Sequence, residues 1–274
     1  MKQKLFALCM VTLLIISCNL PSFIAPTPQI ETPIVIATNT TDSGGVITLN
    51  NVSFTVPLGV AKDAQSETVS AVPDTNNSSW WEVAPEHLKF TLTGYQLQEK
   101  FFEPQILVYP ADQYAQLNST AAEQIQKIKA ILAGSALSKD GMPIIPFFNA
   151  GPIFASNMQV IKFQNGSGVR MLTQYDQYPA IVNNHELFYH FQGLTDDGKY
   201  YVVAVLPVTS SILAENEKPE APIPNGGVAI PTETGPDQAY YDAVAKALDS
   251  QYPDSFNPSL FQLDALIQSI TVKP

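Results

Sequence analysis

The chain has 274 residues, of which 45% are hydrophobic and 14% are charged, and its 25 acidic side chains against 14 basic ones give a formal net charge of −11. This length is enough for one domain of about 200 residues with a hydrophobic core. A surface this acidic repels phosphate backbones and anionic lipid headgroups, and Arg170 is the only arginine. Nucleic acid is therefore excluded as a partner.

Residues 1–17 have a short basic start, with Lys2 and Lys4, and an apolar run at 5–16. A helix of this length reaches about 18 Å, well short of a hydrocarbon core of about 30 Å. The pattern therefore predicts a signal peptide rather than a membrane span. Its removal would leave 12 basic and 25 acidic residues and a net charge of −13, because both leader lysines are lost.

The leader ends in LIISC at residues 14–18, which resembles the lipobox of bacterial lipoproteins. The resemblance implies cleavage before Cys18 and its acylation with fatty acids such as palmitate. The protein would then be anchored in the cell membrane or outer membrane, with its domain on the extracytoplasmic side. Cysteine usage agrees, because Cys9 lies inside the leader and Cys18 has no disulfide partner. The alternative is an ordinary cleaved signal that removes Cys18 or leaves it free.

Residues 18–44 are rich in proline, threonine and serine and have no apolar periodicity. They predict a semi-extended tether of about 3 Å per residue. The rest of the chain, 45–274, is predicted to be a single α+β domain. Its first elements are a hairpin at 46–57, an irregular stretch at 58–87 and two short strands at 88–95 and 104–109.

Three helices are predicted. The first has Thr120 and Glu123 as a capping box and a stop at Gly134. The second covers 237–250, and the third opens at Asn257 as its cap, with proline in the first turn. The apolar, proline-interrupted residues 138–156 are predicted to pack on the body as a flap.

Residues 157–208 contain four runs of β-branched and aromatic residues, divided by Asn-Gly and Asp-Gly signals. They predict a four-stranded antiparallel meander. Its strands are apolar on both faces, so we expect helices and loops to cover both. The predicted fold class is α+β, with an antiparallel sheet made of the N-terminal hairpin and the meander and about three covering helices.

The element order, with a last helix and a short apolar tail in LDALIQSITV at 263–272, resembles PsbP/Mog1-type α/β/α domains. The whole chain resembles uncharacterised exported lipoproteins of bacteria. Neither resemblance implies an activity.

Motifs for catalysis or metal binding are not predicted. His185 and His190 are five residues apart on a predicted strand, so their rings would point to opposite faces instead of sharing a zinc ion. The Gly166-Ser167-Gly168 sequence falls in a predicted hairpin turn and not in a nucleophile elbow. Asp196 and Asp197 are expected to form a turn rather than a calcium loop. We assign no catalytic residue, metal or cofactor from the sequence.

Two groups of residues are candidates for binding. With the meander in register, one sheet face would carry a polar pocket for a carboxylate or sugar hydroxyls, formed by Arg170, Gln174, His190, Gln192 and the nearby Tyr201. The alternative is a solvent-facing stripe in which Arg170 pairs with Asp176 or Glu186. Trp80 and Trp81 could be a stacking platform for a glycan or peptide, or could close the edge of a core.

These observations favour a non-enzymatic, lipid-anchored domain that binds a protein, a peptide or an envelope polymer. A second hypothesis is a delivery or sensing lipoprotein with an enclosed small-ligand pocket near Arg170 and His190. A third is an envelope hydrolase that uses two dispersed carboxylates, one of them with a raised pKa.

Overall fold

A computed structural model describes residues 45–218, 220–231 and 235–274. The predicted signal peptide, Cys18 and the tether lie outside the described residues. The strands within them are β1 (Val46–Leu49), β2 (Val52–Thr55), β3 (Asp63–Val69), β4 (His87–Thr93), β5 (Gln105–Pro110), β6 (Gly151–Pro152), β7 (Ser156–Phe163), β8 (Gly166–Thr173), β9 (Tyr175–Asp176), β10 (Phe188–Thr195), β11 (Tyr200–Pro207), β12 (Thr209–Ser210), β13 (Phe256–Asn257) and β14 (Thr271–Val272). The helices there are α1 (Ala111–Leu117), α2 (Ser119–Leu132), α3 (Gln238–Asp249) and α4 (Leu260–Gln268).

The main sheet has seven strands in the order β3-β4-β5-β11-β10-β8-β7, and every neighbouring pair is antiparallel. Strands β7, β8, β10 and β11 are the predicted meander, which is confirmed. Strands β4 and β5 confirm the two short strands predicted before the first helix. Strand β3 lies in the stretch predicted to be irregular, because its sequence DAQSETV has no apolar alternation.

The predicted N-terminal hairpin is present as β1 and β2, but it does not join the main sheet. Its second strand also pairs with β14, so a separate three-stranded sheet has the order β1-β2-β14. Asn165, in the turn between β7 and β8, binds both backbone groups of Val272. Its Nδ2 donates to the Val272 carbonyl at 2.5 Å, and its Oδ1 accepts from the Val272 N–H at 3.0 Å. The C-terminal segment thus connects the hairpin to the main sheet.

Both faces of the main sheet are covered, as the two-sided apolar pattern predicted. One face, called here the α3/α4 face, packs against α3, α4 and the small sheet through Tyr189, Phe191 and their neighbours. The other, the α1/α2 face, packs against α1, α2 and the flap through Phe188, Val203 and their neighbours. The predicted α+β class is confirmed, with four helices in the described residues where about three were expected.

The helix caps differ from two predictions. Helix α2 begins two residues earlier than predicted, because its cap is Asn118 and not Thr120; the Asn118 side chain accepts from the N–H groups of Thr120 at 3.0 Å and Ala121 at 3.2 Å. Helix α4 is capped by Ser259 and not by Asn257, which lies in strand β13. In both places an amide or hydroxyl immediately before the first helical residue satisfies the free N–H groups.

Candidate functional site

His190, Gln192 and Tyr201 lie together, as predicted, on the α1/α2 face. The register pairs β10 with β11 so that Gln192 is opposite Val203 and Leu194 is opposite Tyr201. The Tyr201 hydroxyl donates to Gln192 Oε1 at 3.0 Å. All three side chains are almost completely buried.

Arg170 does not share that face, so the predicted five-residue pocket is wrong. The register places Arg170 opposite Phe191 and Met171 opposite His190, which puts Arg170 on the α3/α4 face. Side chains in a strand alternate between faces, and an offset of one residue in register moves a side chain to the other side. Gln174 lies one residue beyond the end of β8, in the loop before β10.

The flap occupies the position predicted for a ligand. Gln192 accepts from the Ile145 N–H at 2.7 Å through Oε1 and donates to the Pro143 carbonyl through Nε2. His190 Nε2 lies 2.8 Å from the Ile145 carbonyl. A carbonyl only accepts, so Nε2 carries the proton, and Nδ1 is left to accept from the Tyr175 hydroxyl at 3.4 Å.

This buried polar group therefore holds the flap to the sheet. Burial of the His190 ring lowers its pKa from 6.5 to about 4, against the opposing effect of its bond to Ile145. The imidazole is neutral in the folded protein, and both of its nitrogens have partners.

Arg170 serves a similar purpose on the other face. Its Nε lies 3.1 Å from Asp264 Oδ1 on α4, and its two terminal nitrogens donate to the Asn157 carbonyl and, at 2.9 Å, to Gln159 Oε1. The Tyr189 hydroxyl donates to the same Asp264 oxygen at 2.8 Å. The predicted partners Asp176 and Glu186 do not pair with it.

Those two carboxylates instead converge on Gln174. Its Nε2 donates to Asp176 Oδ2 and to Glu186 Oε2 at 2.8 Å each, so the two oxygens are at most 5.6 Å apart, twice that bond length. Burial raises the pKa of both carboxyl groups, and the nearby charge of Glu217 adds to the effect. The loop between β8 and β10 thus carries a half-buried acid pair that no sequence motif indicated.

Trp80 and Trp81 form an aromatic ledge with Phe147 of the flap, named here the Trp80 ledge. The two indole rings meet edge to face at 5.9 Å and 88°, and Trp80 lies 5.3 Å from the Phe147 ring. Trp81 packs against the core on the α1/α2 face. Trp80 is 51% exposed. The pair therefore combines both predicted roles, with one ring in the core edge and one on the surface.

Asn118 fixes the backbone of this ledge. Besides capping α2, its Nδ2 donates to the carbonyls of Trp80 at 3.0 Å and Val83 at 3.1 Å. The preceding segment carries exposed polar side chains, including Asp74, Asn76 and Asn77. The ledge is thus an exposed indole on a rigid turn, next to hydrogen-bonding groups. The sequence analysis missed Asn118 and Phe147, although Asn118 immediately before a helix is itself a capping signal.

The remaining motifs have structural roles. His185 precedes β10 and its Nδ1 bonds the Glu99 carbonyl at 3.0 Å. Asp197 forms the predicted turn by accepting from Thr195 Oγ1 at 2.6 Å and from the Lys199 N–H at 3.0 Å. Gly166 begins strand β8, so the prediction that the Gly-Ser-Gly sequence lies in a turn was wrong.

Across the described ranges, no group of three or more histidine, cysteine, aspartate or glutamate side chains could hold a metal ion. A helix long and apolar enough to cross a membrane is likewise absent from this part of the chain. Comparison with known proteins gives no match to a family model, a curated protein or a solved structure.

Proposed function

We propose that the protein is a lipid-anchored binding domain on the extracytoplasmic side of the membrane, and that the Trp80 ledge binds a neutral or amine-bearing glycan of the cell envelope. The observation that carries this proposal is an indole that is 51% exposed and yet held by fixed backbone contacts. A large apolar surface held in one conformation loses little entropy when a sugar ring stacks on it.

The charge of the protein narrows the class of glycan. A net charge of −11, or −13 without the leader, repels anionic polymers. An uncharged sugar escapes this repulsion, and an ammonium group gains attraction both from the acidic surface and from the indole face. The ligand class is therefore neutral or cationic rather than acidic.

Binding is also favoured over catalysis by the use of the buried polar groups. His190 and Gln192 bond the flap, which carries Phe147 of the ledge. Arg170 bonds α4 and the start of β7. All three side chains are thus engaged by protein groups, and His190 and Gln192 support the ledge through the flap.

The test uses tryptophan fluorescence, because the chain has only two tryptophans and both belong to the ledge. Titration with soluble fragments of uncharged or amino-sugar envelope glycans is expected to change the emission. Trp80→Ala should weaken binding roughly tenfold or more, since stacking and area burial of one indole account for that much. The affinity of this variant is measured by calorimetry, because the loss of Trp80 itself changes the tryptophan emission.

Tyr252→Ala is the matched control, because Tyr252 is an exposed aromatic residue that lies outside the ledge. Its affinity should equal that of the wild type. Equal binding by the wild type and Trp80→Ala would exclude the ledge as the binding site.

A second candidate function is hydrolysis by the acid pair Asp176 and Glu186. Their oxygens share the Gln174 amide nitrogen and are at most 5.6 Å apart, and burial raises both pKa values, as the acid of a carboxyl pair in a glycosidase requires. Hydrolysis of a glycan by the wild type that is lost in Glu186→Gln would support this function. Glu103→Gln is the control, because Glu103 is exposed and pairs with Lys89 instead of Gln174.

A further inference from the structure

The small sheet of β1, β2 and β14 and helix α4 form a surface that is almost free of charge, named here the uncharged face. Residues 45–61 contain no charged residue, and residues 255–272 contain only Asp264. Asp264 is buried and bonds Arg170 at 3.1 Å. The side chains exposed on β1 and α4 are Val46, Thr48, Phe261, Ala265 and Gln268. Helix α3, which covers the same side of the main sheet, carries three charged residues in comparison.

The two segments of the uncharged face are in direct contact. The Thr55 N–H donates to Ser269 Oγ at 2.9 Å, and this hydroxyl lies 3.3 Å from the Thr55 carbonyl. A Cβ atom added to Gly59 would lie 2.2 Å from Gln262 Nε2, so the turn after β2 packs against the first turn of α4. The sheet and the helix therefore form one continuous surface.

This surface exposes three large apolar side chains. Val46 is 71%, Leu58 57% and Phe261 59% exposed. Leu58 and Phe261 are the chain neighbours of Gly59 and Gln262, which are in contact. Single exposed apolar residues are common on soluble proteins, but a group of them on a surface without charges is typical of an interaction site.

The way in which the domain is attached favours a membrane as the partner. The predicted tether at 18–44 joins the domain at Gly45, whose carbonyl accepts from the Val56 N–H at 3.2 Å on the uncharged face. At about 3 Å per residue the tether reaches about 80 Å, so it permits contact with the bilayer without enforcing it. A tethered surface is at high effective concentration, and a weak attraction is then enough to hold it.

The charge of the rest of the domain favours the same partner. The chain without its leader has a net charge of −13, and a bilayer with anionic lipids repels it. The repulsion is smallest when the uncharged face is turned towards the lipid. This face also has no exposed charged group to desolvate, and contact with lipid removes its apolar side chains from water.

We propose that the uncharged face docks on the bilayer surface, with Leu58 and Phe261 among the lipid headgroups. This inference rests on the lipid anchor of the proposed function. Trp81 packs on the α1/α2 face, on the other side of the main sheet. The docked domain therefore holds the Trp80 ledge away from the bilayer, where envelope glycans can reach it.

The test uses the full-length lipidated protein in phosphatidylcholine vesicles that contain a nitroxide-labelled phosphatidylcholine. Cys9 lies in the predicted leader and Cys18 would carry the lipid, so a cysteine placed in the domain is the one free thiol for a fluorophore. A label at Phe261→Cys should be quenched by the nitroxide. A label at Ala130→Cys should not be, because Ala130 is exposed on α2, on the other side of the main sheet.

A second variant tests the apolar contact itself. Phe261→Glu is made in the protein labelled at Leu58→Cys, where it adds a charge to the uncharged face and should abolish most of the quenching. Both side chains are more than half exposed, so the melting temperature should stay close to that of the wild type. Ala130→Glu in the same labelled protein adds an equal charge on α2 and should leave the quenching unchanged.

Flotation of the vesicles separates failure of docking from failure of the anchor. A protein that does not float with the vesicles would overturn both. A protein that floats but has no quenching at Leu58 or Phe261, or equal quenching at Ala130, would overturn docking alone. A label on the uncharged face that is shielded from water but not quenched would show that protein covers this face instead. Unchanged quenching in Phe261→Glu would equally exclude docking through the apolar side chains.

Discussion

Phenylalanine rings lie across glycines at the centre of the main sheet. Gly168 and Gly193 are directly opposite each other on β8 and β10, and the ring of Phe191 crosses both. A Cβ atom added to Gly168 would lie 2.3 Å from the Gln192 carbonyl oxygen and 2.5 Å from Phe191 Cζ. These glycines are required for close approach, because neither has a positive φ.

Gly168→Ala is therefore expected to be strongly destabilising. The nearest atom is backbone, which cannot move away as a side chain could, so we expect a loss of about 3 kcal/mol in the free energy of unfolding. Urea denaturation measures it. Gly151→Ala is the matched control, because a Cβ there meets nothing within 4 Å, and its midpoint should stay close to that of the wild type. Similar midpoints for the two variants would contradict this account of the sheet.

His190 gives the protein a dependence on pH. The folded pKa is about 4, below the ordinary 6.5. Below pH 6.5 the unfolded chain takes up a proton that the folded chain does not. The neutral His190 ring therefore contributes up to about 3 kcal/mol to the free energy of unfolding. This contribution is complete above pH 6.5 and is lost as the pH falls towards 4.

The measurement compares wild type with His190→Gln by urea denaturation between pH 7 and about 4. The raised pKa values of Asp176, Glu186 and Asp264 act in the opposite direction, because the folded state holds their protons more tightly. They are present in both proteins, so the difference in slope isolates His190. The wild type should lose more stability than the variant. Parallel curves would exclude His190 as the cause.

At the scale of the elements, Asn118 links α2 to the Trp80 ledge. Asn118→Ala loses the helix cap and two bonds to buried carbonyl groups, and we expect a cost of about 2–3 kcal/mol. Asn118→Asp keeps the cap acceptor but cannot donate to Trp80 and Val83. It should lose less stability, yet its tryptophan emission should change. Unchanged emission in both variants would show that the ledge does not depend on this residue.

Ser259→Ala is the control for loss of a helix cap away from the ledge. The Ser259 hydroxyl caps α4 and also donates to Asp254 at 2.7 Å, far in sequence from the ledge. Loss of this hydroxyl should lower the free energy of unfolding by about 1 kcal/mol and leave the tryptophan emission unchanged.

The elements differ in how clearly the sequence indicates them. The meander was predictable because its runs of β-branched and aromatic residues are long and separated by turn signals. Strand β3 was not, since it lies at the sheet edge, is largely exposed and is defined by its pairing with β4. Helix α1 has seven residues, of which only Ala111 and Tyr114 are buried, which is too few to show a helical period.

The candidate pocket failed for a related reason. Strands β8 and β10 are joined by a long segment, 174–187, in which β9 has only two residues, so the sequence leaves their register open to either parity. Only the three-dimensional pairing places Arg170 opposite Phe191 and separates it from His190. Trp80 was identifiable because an adjacent pair of tryptophans is unusual in itself, but its support by Asn118 and Phe147 depends on contacts distant in sequence.

For the whole molecule, the lipid anchor remains a prediction from the lipobox resemblance at residues 14–18. Cys18→Ser removes the sulfur that would carry the lipid, so the variant should not be acylated and should leave the membrane fraction. Metabolic labelling with a fatty-acid analogue and membrane fractionation measure both effects. Cys9→Ser is the matched control, because Cys9 lies in the predicted leader. Equal labelling of both variants and the wild type would exclude Cys18 as the anchor.

The pairing of β14 with β2 has a consequence for biogenesis. Residues 52–53 are synthesised well before their partners at 271–272, which lie far later in the sequence. Two bonds between Asn51 and Lys273 add to this closure. The Lys273 N–H donates to the Asn51 carbonyl at 2.8 Å, and Asn51 Nδ2 donates to the Lys273 carbonyl at 2.6 Å. If the chain crosses a membrane with its N-terminus first, β1 and β2 would therefore emerge before β14, and one edge of β2 would stay unpaired until residues 271–272 follow. The small sheet is therefore complete only after residues 271–272 have been synthesised, and a chain truncated before residue 271 would lack this closing strand.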